Sequence, residues 1–329
     1  METSSAQRSA SEALSQSPSC SALSMYETAR RHCRERILVQ PLLWTRRHLE
    51  LLQCSFSDPR PAPPTAQFNS TGARDGTECL SRFFLQTHKY VSRECAIRAF
   101  LAAPECPLDC RTDIYLSLGD CRSVTLPCTT FGPRDEAESE STMLPIAAHI
   151  ERGHIASMRR EMLQPYIPGP YNRPVVAMRA TKLKTLVPTE PLHDPYIAAL
   201  LIALAQYRRR MLDRDGADEK ADMTLFPLKV LCTNEDKELM HLYSATIPSS
   251  LLDKFDHPSV PPPETPSISI QITSIPYKPL ETLRDRLLAL ILPTASNHKV
   301  ERKRKMRGED EDTQPLSTRR ATGDLTTCV

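Results

Sequence analysis

The chain has 329 residues, enough for one large domain or two modest ones. It is 40% apolar and only 5% aromatic, and its 29 prolines force much of its length through loops, so roughly half to two-thirds should fold. The 42 basic and 40 acidic residues leave a net charge of +2, which excludes a general attraction of the whole surface to nucleic acid.

Glycine is scarce, at 9 residues, and neither GxGxxG nor GxxxxGK[ST] occurs, so the common phosphate-cradling loops are missing. GxSxG, HExxH and the EF-hand pattern are missing too. The chain has eleven cysteines, and its opening stretch, METSSAQRSASEALSQSPSC, has no apolar core of a secretory signal. Reduced thiols in an intracellular protein are therefore expected, and the sequon Asn69-Ser70-Thr71 would be silent. The longest apolar stretch, Tyr196 to Ala205, is about half of the ~18 residues that a membrane span requires.

Residues 1–24 are rich in serine and alanine and read as disordered. Met25 to Cys54 reads as helix interrupted at Pro41, and residues 57–76 read as a proline-rich linker. Thr77 to Pro104 predicts one or two helices with Thr77 as N-cap. Asp113 to Leu118 is a short apolar run, strand or helical turn, and residues 120–140 read as a loop ending in acids. Ile146, Ile150, Ile155, Met158 and Met162 lie near the 3.6-residue period and predict a helix over 146–163. The following QPYIPGPYNRP must be extended or turning.

HDPYIAALLIALAQYRRR sets Asp194 as N-cap and Pro195 as first helical residue of a helix apolar on all sides, and hence buried on all sides. LFPLKVLC and MHLYSATI predict a hairpin, LLDKF a short helix closed at His257-Pro258, and SISIQITSI a strand with one buried face. Pro279 to Leu292 predicts an amphipathic helix.

HDPYIAALLIALAQ, LKVLCTNEDKELMHLYSATIPSSLLDKFDHP and IPYKPLETLRDRLLALIL together resemble a family of uncharacterised filamentous-fungal proteins over about residues 173–292. The resemblance implies a shared core and carries no activity and no catalytic residues.

Four cysteines, Cys106, Cys110, Cys121 and Cys128, crowd one segment, but their spacing lacks the two close pairs of a zinc site, and whether they bind metal stays open at this level. Glu235, Asp236 and Glu238 lie in the hairpin turn, away from the strand positions from which carboxylates converge on a metal. His149 and His154 miss the i, i+4 spacing of a helical metal pair, and His193, His241 and His257 are scattered without a nucleophile elbow.

The basic run Lys299, Arg302, Lys303, Arg304, Lys305 and Arg307 lies beyond the last apolar helix and matches a nuclear-import signal. The acids Glu309 to Asp312 follow at once, so any grip on nucleic acid would be weak and sequence-blind. Thr322 follows Arg319-Arg320-Ala321, a basophilic kinase consensus, and a phosphate there would add almost two negative charges.

These readings lead to an α+β expectation: a small, mostly antiparallel sheet of about three strands with helices on one face. A core over 141–292 follows a loosely packed helical region over 25–140, with disordered tails at 1–24 and 293–329. The expected role is a non-enzymatic nuclear protein, with the cytoplasm as a second location, acting through an unknown protein partner and an import receptor. No cofactor, metal, catalytic residue or membrane contact is expected. The alternatives are a degenerate nuclease-like enzyme using Asp236 or Glu238, and a lineage-specific orphan without a tight ligand.

Overall fold

Strands carry this fold. A computed structural model describes residues 23–64, 87–119, 122–134, 143–164, 172–214, 224–236, 238–263 and 267–292. Among them, eight strands join in one mixed sheet. In chain order they are β1 (Cys54–Phe56), β2 (Arg60–Pro61), β3 (Leu108–Leu118), β4 (Arg122–Pro133), β5 (Ala147–Glu151), β6 (Leu225–Thr233), β7 (Leu239–Pro248) and β8 (Ile268–Pro276). The order across the sheet is β1-β8-β7-β6-β5-β4-β3, with β2 also pairing with β8. Antiparallel ladders join β3 to β4, β4 to β5, β6 to β7 and β7 to β8, while β5 runs parallel to β6, and β1 and β2 run parallel to β8.

The expectation of a small three-stranded sheet is therefore corrected: the sheet is far larger. The hairpin and the alternating strand exist as β6, β7 and β8, but five more strands come from segments with no clean strand signature. RSVTLPCTTFGP, read as loop because it is polar and carries Pro127 and Pro133, is β4. Residues 147–151, read as the start of a helix, are β5, and the helix begins only at Arg152. Ile146 and Ile150 lie on the helical period of Ile155 by coincidence. The Ile146 N–H donates to the Phe131 carbonyl and Ile150 pairs in register with Cys232 of β6, so both belong to the sheet and not to a helical face. Residues 54–61 and 108–133 supply strands to the same sheet as residues 225–276.

The helices are α1 (Met25–Arg31), α2 (Arg46–Leu51), α3 (Tyr90–Leu101), α4 (Arg152–Met162), α5 (Arg173–Leu186), α6 (Pro195–Arg214), α7 (Ser249–Asp256) and α8 (Leu283–Ile291). They lie on both faces of the sheet, a second correction. On one face α6 packs as expected, with every residue from Tyr196 to Ala205 at most 1% exposed. Its floor is the set of alternate strand residues Phe226, Val230, Tyr243, Ile247, Ile268 and Ile270. The opposite set, including Leu231, Leu242 and Ile275, is just as buried. Here α3 contributes Ile97, Phe100 and Leu101, and α8 contributes Leu283, Leu287 and Leu288. The two helices meet where the Arg284 guanidinium lies over the Phe100 ring, 4.8 Å from its centroid.

Asp194 caps α6 as expected, its Oδ1 accepting from the Tyr196 N–H at 2.9 Å. His257 is the C-cap of α7. Thr77 and residues 165–171 lie outside the described residues, and Arg173-Pro174 opens α5 with Asn172 as its cap. The chain divides into Met1–Ile291, which holds the whole sheet, and Leu292–Val329.

Candidate binding groove and buried polar clusters

The two edges of the sheet are treated differently. At one edge, β3 carries a bulge between Thr112 and Ile114, with Asp113 at φ 62. Further along, Gln206 of α6 binds the outward main chain of Ser117 on both sides: Ser117 N–H donates to Oε1 and Nε2 donates to the Ser117 carbonyl, each at 2.9 Å. The bulge interrupts the strand and the clasp occupies its outward main chain at Ser117, two features that oppose pairing with another strand there.

At the other edge, no described strand pairs with the outward side of β1. The Ile268 N–H donates to the Gln53 carbonyl and the Ser57 N–H to the Ile270 carbonyl, both at 2.9 Å. In a parallel ladder alternate residues face the partner strand. Gln53, Ser55 and Ser57 therefore face β8, while Cys54 and Phe56 turn their N–H and carbonyl groups away from it. No hydrogen bond to a described residue occupies those outward groups.

The outward edge forms part of the wall of a groove of about 890 Å³, bounded by α2 on one side and by Thr185–Pro195 on the other. Phe56 is held by stacking on His193, with centroids 5.2 Å apart, and by an edge contact to Tyr243 at 6.0 Å. Arg46 stands at the rim with 86% of its side chain exposed. Arg47 is tied to Glu35 and Glu50 at 2.9 Å each. Burial pushes the Cys54 thiol up to about 12, so it stays protonated and unreactive.

Behind the groove the charged residues are sealed in pairs. Arg159 of α4 makes a bidentate pair with Asp194, Nη1 to Oδ2 at 2.8 Å and Nη2 to Oδ1 at 2.6 Å, and its Nε donates to the Leu42 carbonyl at 3.2 Å. On the opposite face of the sheet, at the end of β5, the Arg93 and Glu151 side chains are each 1% exposed and lie 3.7 Å apart. Glu94 accepts from the Glu151 N–H and from His154 Nδ1, both at 3.0 Å. His149 Nε2 lies 3.0 Å from Thr233 Oγ1.

Burial raises the Glu151 carboxyl above the usual carboxylate range, against the pull of Arg93. Burial also works to lower His154, but the Glu94 hydrogen bond and charge outweigh it and raise the ring. Each carboxylate is engaged by an arginine, a histidine or main-chain N–H groups, which is the pattern of groups that hold elements together.

Among the described residues, no group of three or more His, Cys, Asp or Glu side chains could hold a metal ion. Cys106, Cys110 and Cys128 are free thiols raised by burial, and Cys121 lies outside the described residues. Glu235, Asp236 and Glu238 are exposed at the β6–β7 turn, where the Asp236 carboxylate accepts from the Glu238 N–H at 2.8 Å. His149 is in β5 and His154 in α4. Lys299, Arg302, Lys303, Arg304, Lys305, Arg307 and Thr322 lie outside the described residues. The groove and the Arg93–Glu151 and Arg159–Asp194 pairs were not foreseen. The only available signal was a charged residue next to apolar neighbours, as in AHIERGHI, where helical periodicity was the stronger pattern.

No protein-family model matches the chain, and no curated protein is similar to it. No described helix is long and apolar enough to cross a membrane.

Proposed function

We propose that the chain is a nuclear protein that acts without catalysis, by binding an extended segment of a partner protein in the groove beside β1. The observation that carries this reading is the outward main chain of Cys54 and Phe56 in the groove wall, which no described residue hydrogen-bonds, while on the opposite edge Gln206 clasps Ser117. An added strand would satisfy those groups and place alternate side chains toward Leu49, Leu186 and Pro195. The basic run from Lys299 to Arg307 would serve as the import signal read by the import receptor, with the acids after it discouraging a grip on nucleic acid.

The groove is tested with peptides selected from a random library on the full chain. Binding should protect the Cys54 and Phe56 amides from hydrogen exchange. Thr189→Trp, in the exposed groove wall, should weaken binding at least tenfold. Protection elsewhere on the chain, with the Cys54 and Phe56 amides still exchanging freely, overturns strand addition. Delivery is tested separately, with a large fused passenger to prevent leakage through pores. Changing Arg302, Lys303, Arg304 and Lys305 to alanine should abolish nuclear concentration. A wild-type fusion that stays cytoplasmic removes the nuclear assignment.

A further inference from the structure

Helix α5 ends in the groove wall, through Thr185 and Leu186. It buries only Leu186 and half-buries Arg179 and Leu183, while residues 172–178 are all exposed. That is a poor basis for a helix. Val175, Val176, Thr181 and Thr185 are β-branched and lower its propensity, and a helix of 14 residues draws most of its stability from packing. Exposed large apolar side chains also gather here: Val175 at 39% and Met178 at 72%, with Val176 and Val187 beside them.

Helix geometry continues the groove wall along α5. Side chains three or four positions apart share a face, so Lys182 lies one turn before Thr185 and Leu186, Met178 one turn before Lys182, and Val175 one turn earlier still. From Leu186 to Val175 this stripe runs about 16 Å. The helix is also cationic. It carries Arg173, Arg179, Lys182 and Lys184, no acid occurs in the chain between Glu161 and Glu190, and none of the four cations pairs with a described carboxylate. Glu190 is the only acid lining that wall. Across the groove the exposed Arg46 shares the Glu50 carboxylate with Arg47.

We infer that the segment bound beside β1 is an acidic, apolar peptide that continues past the groove along α5, covering Met178 and Val175 and setting a carboxylate against Lys182. The inference rests on strand addition in the groove and specifies the chemistry of its partner. A second copy of the chain does not suit the surface, because two α5 helices would repel each other. Single-stranded nucleic acid has the right charge but stacks its bases on aromatic side chains. Helix α5 has no aromatic residue, and the Phe56 ring is already stacked on His193. An extended acidic peptide answers each feature: main chain for Cys54 and Phe56, apolar side chains for Val175 and Met178, and carboxylates for the cations. Covering the stripe also gives α5 the packing that it lacks.

Peptides selected from a random library on the full chain serve as the probe. They should be enriched in Asp and Glu and should bind more weakly as salt rises. Lys182→Glu should cost roughly tenfold in affinity, since it removes one attraction and adds one repulsion. Met178→Ser should weaken binding several-fold through lost apolar contact. Both side chains are exposed, so neither change disturbs the core. Peptides whose acids are exchanged for lysine should prefer Lys182→Glu to wild type. Neutral peptides that protect the Cys54 and Phe56 amides, or acidic ones indifferent to either variant, would overturn this inference and leave strand addition standing. Peptides that leave those amides exchanging would overturn both. Polyuridylate that binds more tightly than any selected peptide, and is lost from Lys182→Glu, would assign the surface to nucleic acid instead.

Discussion

Replacing Asp194 by alanine is expected to destabilise the protein by about 3–5 kcal/mol, the usual cost of removing one partner from a buried ion pair. The change strands Arg159, whose side chain is 3% exposed, with only the Leu42 carbonyl at 3.2 Å to receive its donors. It also removes the cap of α6, which by itself costs about 1 kcal/mol. The helix that loses its cap is the most buried element of the protein, so the damage is not confined to a frayed end. Against a total stability of typically 5–15 kcal/mol, the variant stands close to unfolding. Urea titrations of wild type, Asp194→Ala and Asp194→Asn measure this. Asparagine keeps an oxygen for the Tyr196 N–H and should recover about the capping share alone. Replacing both partners, Arg159→Met with Asp194→Leu, should be far milder than Asp194→Ala, because no charge is left unpaired. A loss below about 1 kcal/mol for Asp194→Ala would mean that water reaches Arg159 and that the pair is not sealed.

The second large effect is a dependence on pH centred on His149. The ring is fully buried in β5, with Nε2 beside Thr233 Oγ1 and no hydrogen-bond partner for Nδ1 among the described residues. Burial is the main force lowering its pKa from 6.5 to about 4, with the Arg93 charge adding to it and Glu94 opposing. The unfolded chain therefore takes up a proton near pH 6.5 that the folded protein refuses until about pH 4. Stability from this group is complete above pH 6.5 and is lost progressively as the pH falls toward 4. The shift corresponds to about 3 kcal/mol. Glu151, whose carboxyl is raised by burial, acts with the opposite sign: its contribution is present at low pH and is lost as the pH rises through its folded value. The clean measurement is thus a difference. Urea midpoints of wild type and His149→Gln, taken from pH 7 to pH 4, should diverge, with wild type losing more. Parallel curves would show that the ring is charged, or reached by water, in the folded state.

Both effects come from residues that hold the crossover between the parallel strands β5 and β6. His149 ties β5 to Thr233 at the end of β6. Arg159 of α4 is anchored to Asp194 at the start of α6. The groove lies beside this anchored frame, with Pro195 and His193 in its wall. A rigid frame behind an open strand edge lowers the ordering cost of binding an extended segment.

What could be read from the residues alone were the elements that close on themselves. The α6 helix announces itself through Asp194, Pro195 and an apolar run too long for a strand. The β6–β7 hairpin and β8 do so through alternation and short separation. Their signals are local, because capping and side-chain period depend on neighbours in the chain. Tertiary structure decided the rest. Strand β4 is polar and holds two prolines, and it is a strand because β3 and β5 lie on either side of it. Strand β1 has three residues and pairs with β8 across more than two hundred positions, so no local pattern could mark it or the groove beside it. The same holds for Arg93 with Glu151 and Arg159 with Asp194. Each residue alone reads as a surface charge, and only the partner brought close by the fold makes its burial tolerable. Pairing across distance is set by which surfaces must leave water together, and that is a property of the packed chain rather than of any segment.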